Sequence, residues 1–248
     1  MAETPASPEA SMTASALWQG IIGALRPDFA TLFAVIAPFT LLVAMIVDLF
    51  GPELPAKFAD FTPRVALLTL LIPSVIGAFG QLALTFLLAT PGATPRQALA
   101  RAGTALLPYL AAVLIITPAT TLGLVLLVIP GLYLFARMLL VGPVIMIEGL
   151  GPVAALRRSW TMTAAHGGAI LWFLVLAILF VLGASVMASG IGAALGVVMT
   201  AVGLKTVGSF AAALVGAVIS TLFTMGNAAV GVVIYRRLGA GGVVAPRT

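Results

Sequence analysis

VALLTLLIPSVIGAFGQLALTFLLA, residues 65–89, runs from Val65 to Ala89 without a single charged side chain. As a helix rising 1.5 Å per residue it reaches about 37 Å, enough to cross the ~30 Å hydrocarbon core of a bilayer. Comparable runs lie on either side. Phe29–Phe50 precedes it. Residues 105–129, 132–148, a stretch beginning near Gly168, and 207–235 follow it. The spacing therefore predicts about six membrane spans.

Composition agrees. Of 248 residues, 62% are hydrophobic and 8% charged, with a mean hydropathy of +1.22. A soluble domain carries roughly a quarter charged residues. Twelve basic and seven acidic residues cannot clothe a water-soluble globule of this size, so lipid must meet most of the exterior. The expected fold is all-α, a polytopic integral membrane bundle with interfacial amphipathic helices. A net charge of +5 in a soluble protein would raise nucleic-acid binding. Here the bases sit in short clusters between apolar runs, which suits anionic lipid headgroups and no nucleic acid. The chain has no cysteine, which excludes disulfides, thiolate metal sites and cysteine nucleophiles.

Three regions are expected: a disordered tail over 1–15, a membrane domain over 16–237 and a flexible tail over 238–248. The first tail is rich in Ala, Ser, Pro and Thr and contains Glu3 and Glu9, unlike the basic start of a cleavable signal. The first span would then be the uncleaved targeting signal. Residues 190–206 are apolar but Gly- and Ala-rich; they read as a continuation of the fifth helix or an interfacial segment.

Basic residues set the orientation. Arg26, Arg96, Arg101, Arg157, Arg158, Arg236, Arg237 and Arg247 fall in connections on one side, against Lys57, Arg64 and Lys205 on the other. That bias predicts a bacterial inner-membrane protein with both termini cytoplasmic. On the basic side a similar order recurs at 16–28, 95–107 and 151–167: an amphipathic stretch with Ala-Leu and a following arginine, then an apolar hairpin. In the third stretch Val153, Leu156, Trp160 and Thr163 share one helical side, with Arg157 and Arg158 elsewhere. Such a helix would lie in the interface, making Arg157, Arg158 and Trp160 candidates for lipid contact.

Arg137 is the one charge well inside a span, and a buried guanidinium usually faces the bundle, a cavity or an acid. Glu148 lies eleven residues on, about 16 Å by helical rise, too far to pair with it directly. With Pro130-Gly131 read as a tight turn, Arg137 falls in the outer half of its span, where Asp48 is the better-placed acid. In the sixth span Gly208, Ala212, Gly216, Ser220, Thr224 and Ala228 repeat every four residues. This ridge predicts close helix packing, within the chain or by self-association, and leucine at Gly216 or Ser220 is expected to disrupt it. Asn227 beside it reads as packing glue. His166 stands alone as histidine, so no metal and no cofactor is expected. Catalytic signatures are absent too: no HExxH, no paired intramembrane aspartates, no Gly-x-Ser-Gly and no Walker-type loop.

Residues 129–163, IPGLYLFARMLLVGPVIMIEGLGPVAALRRSWTMT, resemble a signature of uncharacterised bacterial membrane proteins. These include YciC-type proteins and the membrane domain of some glycerophosphoryl diester phosphodiesterases. The shared pattern falls on Pro130, Gly131, Arg137, Pro143, Glu148, Gly149, Ala155, Leu156, Arg157, Arg158, Ser159 and Trp160. The resemblance implies a membrane domain over about 16–235. Phosphodiesterase activity resides in a separate soluble barrel whose acidic metal ligands have no counterpart here. Ala164, Ala165, His166, Gly167 and Gly168 depart from the basic or aromatic cluster that often follows Ser-Trp, against phosphate binding by this loop.

The function expected from these residues is non-enzymatic support of envelope or lipid organisation. The alternative is a small transporter or channel with a site near Arg137. A cavity reaching Arg137 would favour the alternative and a solid core the first.

Overall fold

The computed structural model describes residues 13–50, 62–201 and 205–240, without the side chains of 44–50, 205–213, 240 and a few positions within 188–201. The helices are α1 (Ala14–Leu25), α2 (Phe29–Phe50), α3 (Pro63–Ala66), α4 (Ile72–Ala89), α5 (Pro95–Leu126), α6 (Val128–Met138), α7 (Val141–Glu148), α8 (Pro152–Met162), α9 (Gly167–Ala201) and α10 (Lys205–Ala240). Five helical runs among the described residues are long and apolar enough to cross a membrane. The α1–α2 pair, bent by 86°, makes a sixth if counted as one. The protein is an all-α membrane bundle.

Local chemistry explains the boundaries. Thr13, Thr62 and Thr94 cap the N-termini of α1, α3 and α5 with their side-chain oxygens. Pro63 and Pro95 follow two of these caps, where a missing N–H costs nothing. At α5 the cap is reciprocal, since the Gln97 side chain accepts from the Thr94 N–H at 2.9 Å. The stretch 65–89 is one helical run. Leu67–Leu71 widens to a π-turn just before Pro73, which cannot donate to the preceding turn. Gly149 ends α7 with φ +68°, the left-handed cap that favours glycine.

Several expectations change. Pro130-Gly131 is no turn: the chain reverses at Leu127, which is extended at φ −154°, ψ 117°, and both residues belong to α6. Gly131 is there for close approach, because a Cβ on it would meet the Leu124 backbone N at 2.5 Å. The fourth span divides into α6 and α7 at Leu139–Leu140. Pro108 and Pro118 do not break α5, and the basic stretch 95–107 is its N-terminal part, continuous with the span. Separate helices form only from the other two basic stretches, as α1 and α8. Residues 190–201 continue α9, one of the two expected outcomes, while 202–204 lie outside the described residues. So do most of both tails.

Helix α10 and the short α7 supply much of the core, with Ala229, Val232 and Ile234 packed near Val144, Ile145 and Met146 in one buried cluster. Large apolar side chains point outward instead; Leu107 and Leu114 are each 76% exposed. Lipid accepts them without penalty, so shape rather than hydrophobicity selects the packed faces. On α10 the packed stripe includes Ala217, Thr221 and Met225. The Thr221 hydroxyl shares a 2.6 Å hydrogen bond with Thr40 of α2. The expected ridge is offset by one residue: Gly216 and Ser220 are exposed, a Cβ on Gly216 meets nothing within 4 Å, and only Ala228 is buried. Gly208 and Ala212 lie outside the described side chains. Gly216→Leu is therefore expected to leave the melting temperature of the detergent-solubilised protein nearly unchanged. Ala217→Leu should lower stability by about 1–3 kcal/mol through overpacking. Equal losses at both positions would contradict the offset.

Candidate functional site

Separated parts of the chain are tied together at the basic end. Arg158 of α8 places its Nε 3.2 Å from each carboxylate oxygen of Glu148, and the Tyr235 hydroxyl of α10 donates to Glu148 Oε1 at 2.9 Å. Arg101 Nε of α5 donates to the Met146 carbonyl at 3.3 Å, and Arg236 Nη2 to the Leu88 carbonyl at 2.6 Å. Arg237 Nη2 donates to the Ala16 carbonyl of α1 at 2.7 Å. Met146 and Leu88 lie in the last turns of α7 and α4. Carbonyls there have no partner within their own helix, and a cation opposes the negative end of the helix dipole.

Arg137 is 4% exposed. Its guanidinium carbon lies 4.2 Å from the centroid of the Trp160 ring and 5.9 Å from that of Tyr133. Its backbone carbonyl, in the last turn of α6, accepts from Ser159 Oγ at 2.7 Å. Thr163 Oγ1 lies 3.3 Å from the same carbonyl while donating to the Ser159 carbonyl at 2.8 Å. Arg137 Nε and Nη1 are buried without hydrogen-bond partners. A Cβ on Gly167 would sit 3.3 Å from Arg137 Cδ and 3.1 Å from the Tyr133 ring, so a larger residue at the start of α9 would require these side chains to give way.

Arg137 thus lies against α8 and the start of α9, not toward the far end of its span as the turn reading implied. The side chain of Asp48 is outside the described residues. Glu148 pairs with Arg158 rather than Arg137, as the helical distance required. The three lipid-contact candidates diverge. Arg157 is exposed, Arg158 is committed to Glu148, and Trp160 covers Arg137 while keeping 41% of its surface exposed. The packed side of α8 is Ala155 and Ser159, with Thr163 at its C-cap, whereas Val153 faces outward. His166 has a buried Nδ1 without a partner. Among the described residues no group of three His, Cys, Asp or Glu is placed to hold a metal.

Sequence reasoning missed the role of Tyr235 and the carbonyl-capping arginines, because their partners lie as far as 221 residues away. It also missed a cavity of about 440 Å³ between α4, α5, α6–α7 and α10. Met138 and Leu139 line this cavity, but Arg137 does not.

Glu148→Gln is expected to destabilise the fold by about 1 kcal/mol, since Arg158 keeps partial solvent access. In a double-mutant cycle with Arg158→Gln, thermal unfolding should show coupling of similar size, and strict additivity would argue against the pair.

No protein-family model, curated protein or solved structure matches the chain.

Proposed function

We propose that this chain is a multi-pass bacterial inner-membrane protein, both termini cytoplasmic, that organises lipid at its basic end and performs no chemistry of its own. The observation that carries this reading is the joining of arginines from separate connections at one end of the bundle. Arg101, Arg158, Arg236 and Arg237 clamp α5, α8 and α10 to α7, α4 and α1. Arg26, Arg96 and Arg157 stay exposed on the same connections, with Asp28 as an exposed acid and with Trp18 and Trp160 also partly exposed. Exposed arginine beside interfacial tryptophan suits anionic headgroups. The YciC-type resemblance belongs to the same proposal. Its motif residues Arg137, Glu148, Arg158, Ser159 and Trp160 join α6, α7 and α8 through the contacts described above, which supports reading the motif as a structural unit.

The test is lipid retention. The purified protein should carry phosphatidylglycerol in excess over its share of the membrane. Replacing Arg26, Arg96 and Arg157 together by glutamine should cut that excess several-fold with the melting temperature unchanged. Undiminished enrichment would overturn the reading. A reporter fused at Thr248 should behave as cytoplasmic. The rival transporter reading draws its support from the cavity and not from Arg137.

A further inference from the structure

The cavity is a slot rather than a chamber. Its wall on α5 extends from Tyr109 to Leu124, fifteen residues or about 22 Å of helix. Its volume is about 440 Å³, and it opens outward where Thr117, Thr121, Leu124 and Phe135 are exposed. Among the described residues no Arg, Lys, His, Asp or Glu lines it.

The amide and phenol side chains gather toward one end. The Arg236–Leu88 hydrogen bond sets α10 against α4. Gln81 lies seven residues before Leu88 and Asn227 nine before Arg236, which puts both roughly 10–14 Å inward of that contact. Tyr109, eight residues beyond Arg101, falls roughly 12 Å inward of the Arg101–Met146 contact. Three neutral hydrogen-bonding side chains from three helices therefore face the slot at one level. Among the described residues, no group donates to or accepts from the Gln81 and Asn227 side chains. Both are only half-buried, and an amide that faces hydrocarbon without a partner is costly, which favours water or a ligand there. Beyond this level the wall mixes apolar Val113, Ile116, Leu124 and Phe135 with the uncharged hydroxyls of Thr117, Thr120 and Thr121. Thr117 turns its hydroxyl to the Val113 carbonyl at 2.7 Å, while Thr120 Oγ1 is buried with no partner.

We propose that this slot binds an uncharged, single-chain amphiphile, with a hydroxyl- or carbonyl-bearing head against Gln81, Tyr109 and Asn227 and its chain along α5. The absence of charge in the walls selects against phosphate-bearing heads, whose desolvation nothing there offsets. The site is separate from the basic end and stands or falls independently of lipid retention there.

The probe is a diazirine-bearing monoacylglycerol, photolysed with the full-length protein in nanodiscs and mapped by peptide mass spectrometry. Adducts are expected on slot residues such as Val113 and Ile116, reduced at least fivefold by Thr117→Phe and by Gln81→Leu with Asn227→Leu. Leu114→Phe, on the outward face, should leave labelling unchanged. Excess monoacylglycerol should compete, and lysophosphatidylglycerol should not. If Thr117→Phe lowers the melting temperature, Thr121→Phe provides the same block. Adducts spread evenly over Leu114, Leu122 and the slot, or indifferent to both blocking variants, would overturn the proposal. Equal competition by the charged lipid would do so too. Glycerol flux into proteoliposomes abolished by the same block would replace amphiphile binding with solute passage.

Discussion

Replacement of Arg137 by alanine is expected to cost about 2–4 kcal/mol of stability, among the largest losses available in this protein. The side chain is 4% exposed and fills the space between Trp160, Tyr133 and the first turn of α9. Truncation removes its packing and a desolvated cation–π contact, itself worth about 2 kcal/mol. Arg137→Met should behave differently. Arg137 Nε and Nη1 already lack partners, so removing the charge also removes a desolvation cost. Methionine restores most of the volume and can lie against the same rings. Thermal unfolding of the two variants in detergent separates the effects. A methionine variant as unstable as the alanine one would show that the charge has a partner essential to the fold. Wild-type stability with altered lipid or solute handling in both would return Arg137 to the list of functional sites. Trp160→Leu should reproduce part of the alanine loss, because it removes the ring that shields the guanidinium.

The second large effect is expected at Gly131. A Cβ there would lie 2.5 Å from the Leu124 backbone N and 2.7 Å from its Cα. On the facing helix, a Cβ on Gly123 would lie 3.0 Å from the Gly131 Cα. The α5–α6 hairpin closes through this pair, and backbone cannot move aside as a flexible side chain can. Gly131→Val should therefore cost about 3 kcal/mol or more and separate the two helices. A cysteine pair placed at exposed Leu126 and Val128 should cross-link readily whether or not the crossing is intact. A pair at Leu124 and Leu132, beside the crossing, should lose cross-linking in the Gly131→Val protein. Retained cross-linking with unchanged stability would contradict the close approach. Gly183→Val, at an open position on α9, serves as the neutral control.

The sequence alone determined the solvent, the fold class and the grouping of the basic connections. These follow from quantities additive along the chain: run length against bilayer thickness, scarcity of charge, and the distribution of arginines. The helix starts at Thr62-Pro63 and Thr94-Pro95 are equally local. Read as one helix, it also argued against a direct Arg137–Glu148 pair, since the two lie eleven residues apart; in the structure Glu148 pairs with Arg158.

What the tertiary structure decided concerns faces and ends. In lipid a leucine gains little by turning inward, so hydrophobic periodicity does not tell the packed side of a helix from the exposed side. Gly216 and Ala217 are both small, and each is followed four residues later by a hydroxyl, Ser220 in one case and Thr221 in the other. The second stripe is the packed one, with Ala217 and Thr221 buried and the Thr221 hydroxyl hydrogen-bonded to Thr40 on α2. Val153 and Trp160 marked a face of α8, yet the helix packs through Ala155 and Ser159, with the Ser159 hydroxyl on the Arg137 carbonyl of α6. Pro130-Gly131 carried a turn signal, but Leu127 reverses the chain and Gly131 serves contact with α5. That reversal places Arg137 beside Trp160 and α9. The slot has no signature in any one helix, because Gln81, Tyr109 and Asn227 are ordinary residues until α4, α5 and α10 bring them to one level.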